Sequence, residues 1–160
     1  MKYDGHLIFS LSISILSKKI SITNTLGNGD WWHIIPGALL TCLLPDIDHP
    51  KSFIGEKIKW LSKPLNKTLG HRGFTHSLFI LISFIFFFKI NYFKKKYIPI
   101  DSFQSMILGY TSHIIADILT PSGVPIFWPF KWRLILPILN SNKYKEKILC
   151  IFLFFFALVY

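Results

Sequence analysis

A chain of 160 residues is the size of a single domain, and we predict one membrane-embedded domain over residues 1–160. Hydrophobic residues make up 51% of the chain, mean hydropathy is +0.44, and the 16 phenylalanines lie mostly in continuous apolar runs, which indicates lipid around much of the surface. Lysines cluster between these runs, so the formal charge of +10 fits anionic lipid headgroups, and we expect no nucleic-acid partner.

The first part of the chain contains two short apolar runs. Residues 7–22 predict a membrane span that is retained, because no small-residue cleavage site of a signal peptide follows it. Trp31 and Trp32 precede the second run, residues 34–44. At about 1.5 Å per residue, this run cannot cross a hydrocarbon core of about 30 Å alone. We therefore expect it to tilt, to begin at the tryptophans, or to re-enter the same face.

Residues 50–70 have the pattern of an amphipathic helix. Four apolar residues recur at helical spacing among lysines: Ile54, Ile58, Leu61 and Leu65. A basic helix with one apolar face lies in the plane of the membrane interface. We predict that position for this segment.

Four further segments follow. Residues 74–93 form the strongest predicted span, and residues 103–119 form another whose polar side chains must face protein. Residues 121–137 contain too many prolines for a regular helix, so we expect an interfacial loop or broken segment. Residues 148–159 are long enough only for a partial span. The predicted fold is an all-α integral membrane helical bundle of about four to five spans with one interfacial amphipathic helix.

Histidines and aspartates recur in three motifs, LPDIDHP, GHRGFTHS and SHIIAD, which lie near the ends of the predicted spans. If the spans run up and down in order, the start of the first and third spans and the end of the second and fourth lie on one side of the membrane. This connectivity predicts a one-sided cluster of eight residues: His6, Asp46, Asp48, His49, His71, His76, His113 and Asp117.

The chemistry of this cluster predicts a divalent metal ion as cofactor. Imidazole and carboxylate ligands together suit zinc, manganese or iron. Cys42 and Cys150, in contrast, lie in apolar stretches without the spacing of thiolate ligands. His113 and Asp117 are four residues apart and share one helix face. Eight candidate ligands exceed the needs of one tetrahedral zinc, so both a two-metal centre and one metal with hydrogen-bonded partners behind its ligands stay open.

These residues also have simpler interpretations. The Asp46–His49 turn could be only a helix end followed by a cap, although two acids beside a membrane are costly without a partner. His71 and His76 could be solvated loop residues, and a histidine and an aspartate four apart could make only an interhelical hydrogen bond. His33 follows two interfacial tryptophans and more simply faces lipid headgroups.

The segments GDWWH, LLPDIDHPKS, GHRGFTHS and HIIADILTPSGVP closely resemble those of the LexA-regulated, membrane-bound metal-dependent hydrolases, the YdjM-like inner membrane proteins. The resemblance covers residues 6–139. It implies a multi-pass helical protein of the bacterial inner (cytoplasmic) membrane, expression under the SOS repressor, and a hydrolase activity inferred from the His/Asp motifs. Members of this family can extend well past the last span, whereas this sequence ends at Tyr160.

The preferred hypothesis is a hydrolase that cleaves an ester or phosphoester of a lipid-like substrate with a metal-activated water. Asp48 or Asp117 is the candidate general base, and Arg72 with Lys51 would stabilise the developing oxyanion, which favours a phosphorylated amphiphile from the membrane. HExxH and GxSxG motifs are absent from the sequence. The alternatives are a non-catalytic metal-binding or metal-transporting membrane protein, and a structural protein that has lost its activity.

Overall fold

A computed structural model of the chain describes residues 1–95, 98–130, 132–139 and 143–160, and the fold of this part is all-α, as predicted. An isolated antiparallel bridge joins Val124 to Leu134. Two 3₁₀ turns, Leu44–Asp48 and Phe74–His76, carry the first two His/Asp motifs. The eight α-helices of this part are α1 (Tyr3–Lys19), α2 (Asn24–Asn28), α3 (Trp31–Thr41), α4 (Phe53–Lys57), α5 (Lys59–Leu69), α6 (Leu78–Lys95), α7 (Ile100–Ile118) and α8 (Lys143–Val159).

Helix α7 lies at the centre of the fold and packs against α1, α3 and α6. One apolar cluster joins it to α6 and to the loop that follows α7, and consists of Leu81, Tyr110, Ile114, Ile118 and Val124. A second cluster joins it to α1 and α8, and consists of Phe9, Ala116 and Cys150. Burial of these apolar side chains holds α7 between its neighbours.

The contact between α3 and α7 is close because α7 has a glycine there. A Cβ atom on Gly109 would lie 2.1 Å from the carbonyl oxygen of Ala38 and 2.5 Å from Thr41 Oγ1. Thr41 Oγ1 also donates a hydrogen bond of 2.7 Å across the contact to the carbonyl of Met106. The two backbones can approach this closely only where no side chain separates them.

Helix direction brings several chain segments to one end of the bundle. Helices α3 and α7 run parallel, because Ser105 contacts the carbonyl of His33 near their N-termini and His113 contacts the carbonyl of Cys42 near their C-termini. Helix α1 runs antiparallel to α7, because its first turn meets the last turn of α7. The start of α1 and the ends of α3 and α7 therefore meet.

Two predicted elements have different bounds in the structure. The single amphipathic helix over residues 50–70 is two helices, because Ile58 departs from helical geometry (φ −123°, ψ 51°) between α4 and α5. The predicted span over residues 74–93 becomes helical only at Leu78, because Ser77 is extended (φ −89°, ψ 154°). The irregular segment expected over residues 121–137 contains no helix among its described residues, and Lys131 lies outside them.

Within the described residues, none of the helices combines the length and the apolar composition that crossing a membrane requires. The all-α class is confirmed, whereas the four to five membrane spans stay a prediction.

Candidate metal centre

The structure gathers most of the predicted site residues at the end of the bundle where α1, α3 and α7 meet. Three segments besides α7 supply them: the first turn of α1 and the two 3₁₀ turns with the residues beside them. Five of these side chains are at most 1% exposed: His6, Asp48, His76, His113 and Asp117. The gathered residues are His6, Asp46, Asp48, His71, His76, His113 and Asp117.

Four donor atoms in this cluster have the spacing of metal ligands. The Nε2 atoms of His76 and His113 lie 3.2 Å apart. Asp117 Oδ2 lies 3.4 and 3.6 Å from these two nitrogens, and Asp46 Oδ1 lies 3.8 and 3.7 Å from them. Ligands at about 2.0–2.1 Å from a tetrahedral metal are about 3.3–3.4 Å apart. His76 Nε2, His113 Nε2 and Asp117 Oδ2 are therefore close to the separations that a single ion would impose, and Asp46 Oδ1 lies slightly farther from both nitrogens.

The protonation of the two imidazoles supports a cation between them. His113 Nδ1 lies 2.5 Å from the Cys42 carbonyl, which can only accept, so Nδ1 carries the proton. His76 Nδ1 faces Asp48 Oδ2 at 3.5 Å and Thr75 Oγ1 at 3.0 Å; because the Thr75 hydroxyl donates its proton to Asp48, both neighbours accept from His76 Nδ1, which is therefore protonated. With both Nδ1 atoms protonated, the two facing Nε2 atoms need a positive charge between them, which a proton on one ring or a metal ion supplies. This donor set fits a divalent metal ion.

The imidazole of His6 lies beside the four donor groups just described. Its ring stacks on His113 with centroids 3.8 Å apart, and its Nε2 lies 3.4 Å from Asp117 Oδ1. Both ring nitrogens of His6 are buried without a hydrogen-bond partner among the described residues, and so is Asp117 Oδ2. Unsatisfied buried polar atoms are costly, and a bound ion or water would satisfy them.

Asp48 is a buried acceptor for several neighbours rather than an open group. His71 Nδ1 donates to Oδ1 over 2.9 Å, and the Arg72 amide and Thr75 hydroxyl donate to Oδ2 over 3.1 and 2.5 Å. Burial by itself raises the pKa of a carboxyl group, but hydrogen bonds from His71 and His76 outweigh burial and hold the pKa of Asp48 well below its usual range. Asp48 is therefore an anion that orients two histidines.

Arg72 connects two of the acids. Its backbone is in the left-handed region (φ 56°), a conformation that costs a non-glycine residue about 1–2 kcal/mol. In this conformation its amide donates to Asp48, while its Nη2 donates to Asp117 Oδ1 over 2.8 Å. Nη1 donates to Thr120 Oγ1 over 3.0 Å and also to Ser122 Oγ. Arg72 thus holds both carboxylates and the loop after α7 in one arrangement.

Three other candidates lie outside the group of close donors. The His49 ring packs edge-on against His71 with centroids 4.4 Å apart, behind the cluster. Lys51 is exposed. His33 lies at the opposite end of α3, where its Nδ1 is 3.0 Å from Asp101 Oδ2 and 4.0 Å from Asp30 Oδ2.

Some contacts at the centre carry no local signal in the sequence. Some site residues bind groups that lie far from them along the chain. His113 contacts the Cys42 carbonyl, 71 residues away in sequence, and Arg72 binds Ser122, 50 residues away, and also Thr120. In the sequence, the loop with Thr120 and Ser122 is distinguished only by its place in the segment HIIADILTPSGVP, which carries part of the family resemblance.

Comparison with known proteins identifies the family of the chain. The family described as YdjM inner membrane protein matches residues 1–160. The chain is 51% identical over 156 residues to proteins named inner membrane protein YdjM from Escherichia coli K12 and Shigella flexneri, covering 96% of this chain and 80% of each relative. It is 35% identical over 107 residues to the uncharacterized protein YvsG of Bacillus subtilis 168, covering 66% of this chain and 64% of that protein. No solved structure matches the chain. The chain belongs to the YdjM inner membrane protein family.

Proposed function

We propose that the chain is a metal-dependent hydrolase of the bacterial inner membrane that cleaves an ester or phosphoester of a lipid-like substrate. The observation that carries this proposal is the pair of buried Nε2 atoms, 3.2 Å apart, that share two carboxylate neighbours. Such a set of nitrogen and oxygen donors is typical of hydrolytic zinc, manganese and iron centres.

The ion would be held by Asp46, His76, His113 and Asp117, with His6 as a further donor beside them. When bound, zinc, manganese or iron supplies Lewis acidity toward the ester and toward water. The remaining steps fall to the residues around it. Of the two arrangements that the sequence leaves open, we favour a single ion, because Asp48 is occupied by hydrogen bonds from the protein.

We propose His71 as the general base, with Asp48 acting through it. The 2.9 Å hydrogen bond to Asp48 Oδ1 keeps the proton on His71 Nδ1, which leaves the Nε2 lone pair free to accept a proton from water. His71 is one-third exposed, so substrate and water can reach it. Asp48, a candidate general base in the sequence analysis, would then be a positioning residue for His71.

Arg72 would hold Asp117 in place and stabilise negative charge on the substrate. Its guanidinium lies against Asp117 Oδ1, and it has five N–H donors, more than its bonds to Asp117, Thr120 and Ser122 require. Developing oxyanions are stabilised by donors held in place beforehand. Lys51 is a weaker candidate for this role because it is exposed.

The proposed location is multi-pass in the membrane, and membrane lipid would be the source of substrate. The relatives named above are inner membrane proteins by name, and α6 and α8 carry rows of exposed apolar side chains that suit contact with lipid. Regulation by the SOS repressor rests on the family resemblance alone. The exposed apolar residues include Phe79, Ile82, Phe86, Ile148, Ile151, Phe152 and Phe155.

The test is elemental analysis of detergent-purified protein together with hydrolysis of p-nitrophenyl esters, p-nitrophenyl phosphate and phospholipids. His76→Ala and Asp46→Ala are expected to lose metal and hydrolysis, whereas Glu56→Gln, at an exposed acid of α4, is the control and keeps both. Hydrolysis should also stop with a chelator and return with added metal. Equal metal content in all four proteins would contradict the ligand assignment.

A metal carrier is the second candidate, and one observation favours it. Asp30, His33 and Asp101 form another group of possible ligands near the N-termini of α3 and α7, at the far end of this parallel pair from the main centre. A carrier would use ligand groups at both ends of a path. Metal binding without hydrolysis, and metal uptake into proteoliposomes that His33→Ala abolishes, would favour the carrier.

A further inference from the structure

A cavity of about 320 Å³ lies beside the candidate metal centre, between residues 69–73 and residues 125–130. Its lining includes His71 and Arg72 from the first segment, Trp128 and Phe130 from the second, and Arg133. We call it the arginine pocket. Its volume is within the range of about 300–1,000 Å³ that is typical of small-molecule sites.

The composition of the chain makes this pocket unusual. Lysine supplies 16 of the 18 basic residues, and the two arginines are Arg72 and Arg133. Both line this pocket. A guanidinium presents a planar fork of donors that matches carboxylate and phosphate oxygens, whereas an ammonium is a point charge. All other basic residues of the chain are lysines, and both guanidinium-bearing residues line the arginine pocket.

Both guanidinium groups bond to Ser122, so they lie close to each other. Arg72 Nη1 donates to the Ser122 hydroxyl, and Arg133 Nη1 donates to the Ser122 carbonyl over 2.9 Å. Asp117 partly balances the charge of Arg72. Arg133 makes no ion pair with any residue that the structure describes, and none of the side chains that line the pocket is a carboxylate. The pocket therefore has an excess of positive charge.

The rest of the lining is mainly apolar and includes two aromatic side chains, Trp128 and Phe130. Phe130 is 71% exposed, and the neighbouring Phe127, Trp132 and Ile138 are also exposed. Trp128 packs against Phe74, with ring centroids 4.9 Å apart, which fixes one wall. A ligand with a charged end and an apolar body would satisfy both parts of this surface.

We propose that the arginine pocket binds the phosphate group of a phosphorylated amphiphile, and that Arg133 sets specificity for that group. This deepens the hydrolase proposed above and rests on it, because the pocket shares His71 and Arg72 with the proposed reaction. Two guanidinium forks suit a tetrahedral dianion better than a carboxylate, which carries one charge. The apolar body of the ligand lies along the aromatic wall.

The experiment measures binding without turnover. Metal-free, detergent-purified protein is titrated with inorganic phosphate, with acetate, and with phosphatidylcholine vesicles that contain or lack phosphatidic acid. Arg133→Gln is expected to weaken phosphate binding by about 10- to 100-fold, the loss typical of a hydrogen bond to a charged group. Lys63→Gln removes an equal charge from the exposed face of α5 and should bind as wild type does. Arg133→Lys keeps the charge without the fork and should remain weaker than wild type.

Each outcome decides the proposal. Loss of inorganic phosphate binding in Arg133→Gln supports a free phosphorylated ligand, and loss confined to phosphatidic acid vesicles supports a lipid headgroup. Equal affinity of Arg133→Gln and wild type, or preference for acetate over phosphate, overturns it. Hydrolysis of an uncharged p-nitrophenyl ester by the metal-loaded proteins is measured separately. Its absence in wild type would count against the proposed function, whereas the phosphate titrations alone decide on the pocket.

Discussion

Replacement of Asp48 by asparagine removes one negative charge from a fully buried position and changes the shape of the side chain little. If the new amide nitrogen takes the place of Oδ2, the Arg72 amide loses its acceptor. In the opposite orientation His71 can no longer donate from Nδ1. Hydrogen bonds to a charged group contribute about 1.5–3 kcal/mol each, and a buried donor without a partner adds its own cost. We expect Asp48→Asn to lower the free energy of unfolding by about 3 kcal/mol.

Metal affinity should fall in the same variant. Asp48 is the partner of His76 Nδ1, and loss of such a partner typically costs about 10- to 100-fold in affinity. Thermal unfolding of the metal-free protein measures the first effect, and for a chain of this size about 3 kcal/mol lowers the melting temperature by about 6–12 °C. Competition with a chelating dye measures the second. Glu56→Gln, an exposed acid in α4, is the charge-matched control. If both variants behave alike in the two assays, Asp48 does not orient the histidines.

Two further predictions concern helix packing and the far end of the bundle. Gly109→Ala would put a Cβ atom 2.1 Å from the Ala38 carbonyl oxygen, so we expect the free energy of unfolding, measured with a chemical denaturant, to fall by about 1–3 kcal/mol. The control Ile115→Ala, on the exposed side of α7, should lower it less. A larger loss in Ile115→Ala than in Gly109→Ala would refute the close contact. Asp101→Asn should cost about 1–2 kcal/mol near neutral pH, because Asp101 accepts from the Asp30 amide and from His33. Burial alone raises the pKa of Asp101, but these hydrogen bonds outweigh burial and lower the pKa overall. The stabilising contribution of Asp101 is therefore present above its ordinary pKa and is lost as pH falls. A stability difference between Asp101→Asn and wild type that grows on acidification would contradict this.

The order of the predicted spans places the candidate ligands at one end of the fold, and the structure gathers all of them there except His49, which packs against His71 outside the close donors. The prediction needed only that successive helices reverse direction, and the structure does bring His6, His76 and Asp117 together. The shared face of His113 and Asp117 followed from their spacing, because residues four apart are neighbours on a helix. These inferences use local periodicity and chain order, both of which can be read from a single sequence.

The roles within the cluster depend on contacts between distant residues, and the sequence alone did not reveal them. Asp48 looked equivalent to Asp46 in the motif, but the turn directs it to the His71 ring and the Arg72 amide. Arg133 stood in no motif, and only the scarcity of arginine in the chain sets it apart. The break between α4 and α5 at Ile58 is also not predictable from the sequence pattern, because the helical spacing of apolar residues continues across it.

The donors of the centre come from segments that lie far apart in the sequence: the first turn of α1, the two 3₁₀ turns and the end of α7. Both cysteines of the chain are free, so no disulfide joins these segments. An ion at this position would serve as a cross-link, and its removal would give the chain back the entropy of several long loops. Depletion of metal in the cell would then shorten the lifetime of the protein against proteases, in addition to any effect on the proposed hydrolysis.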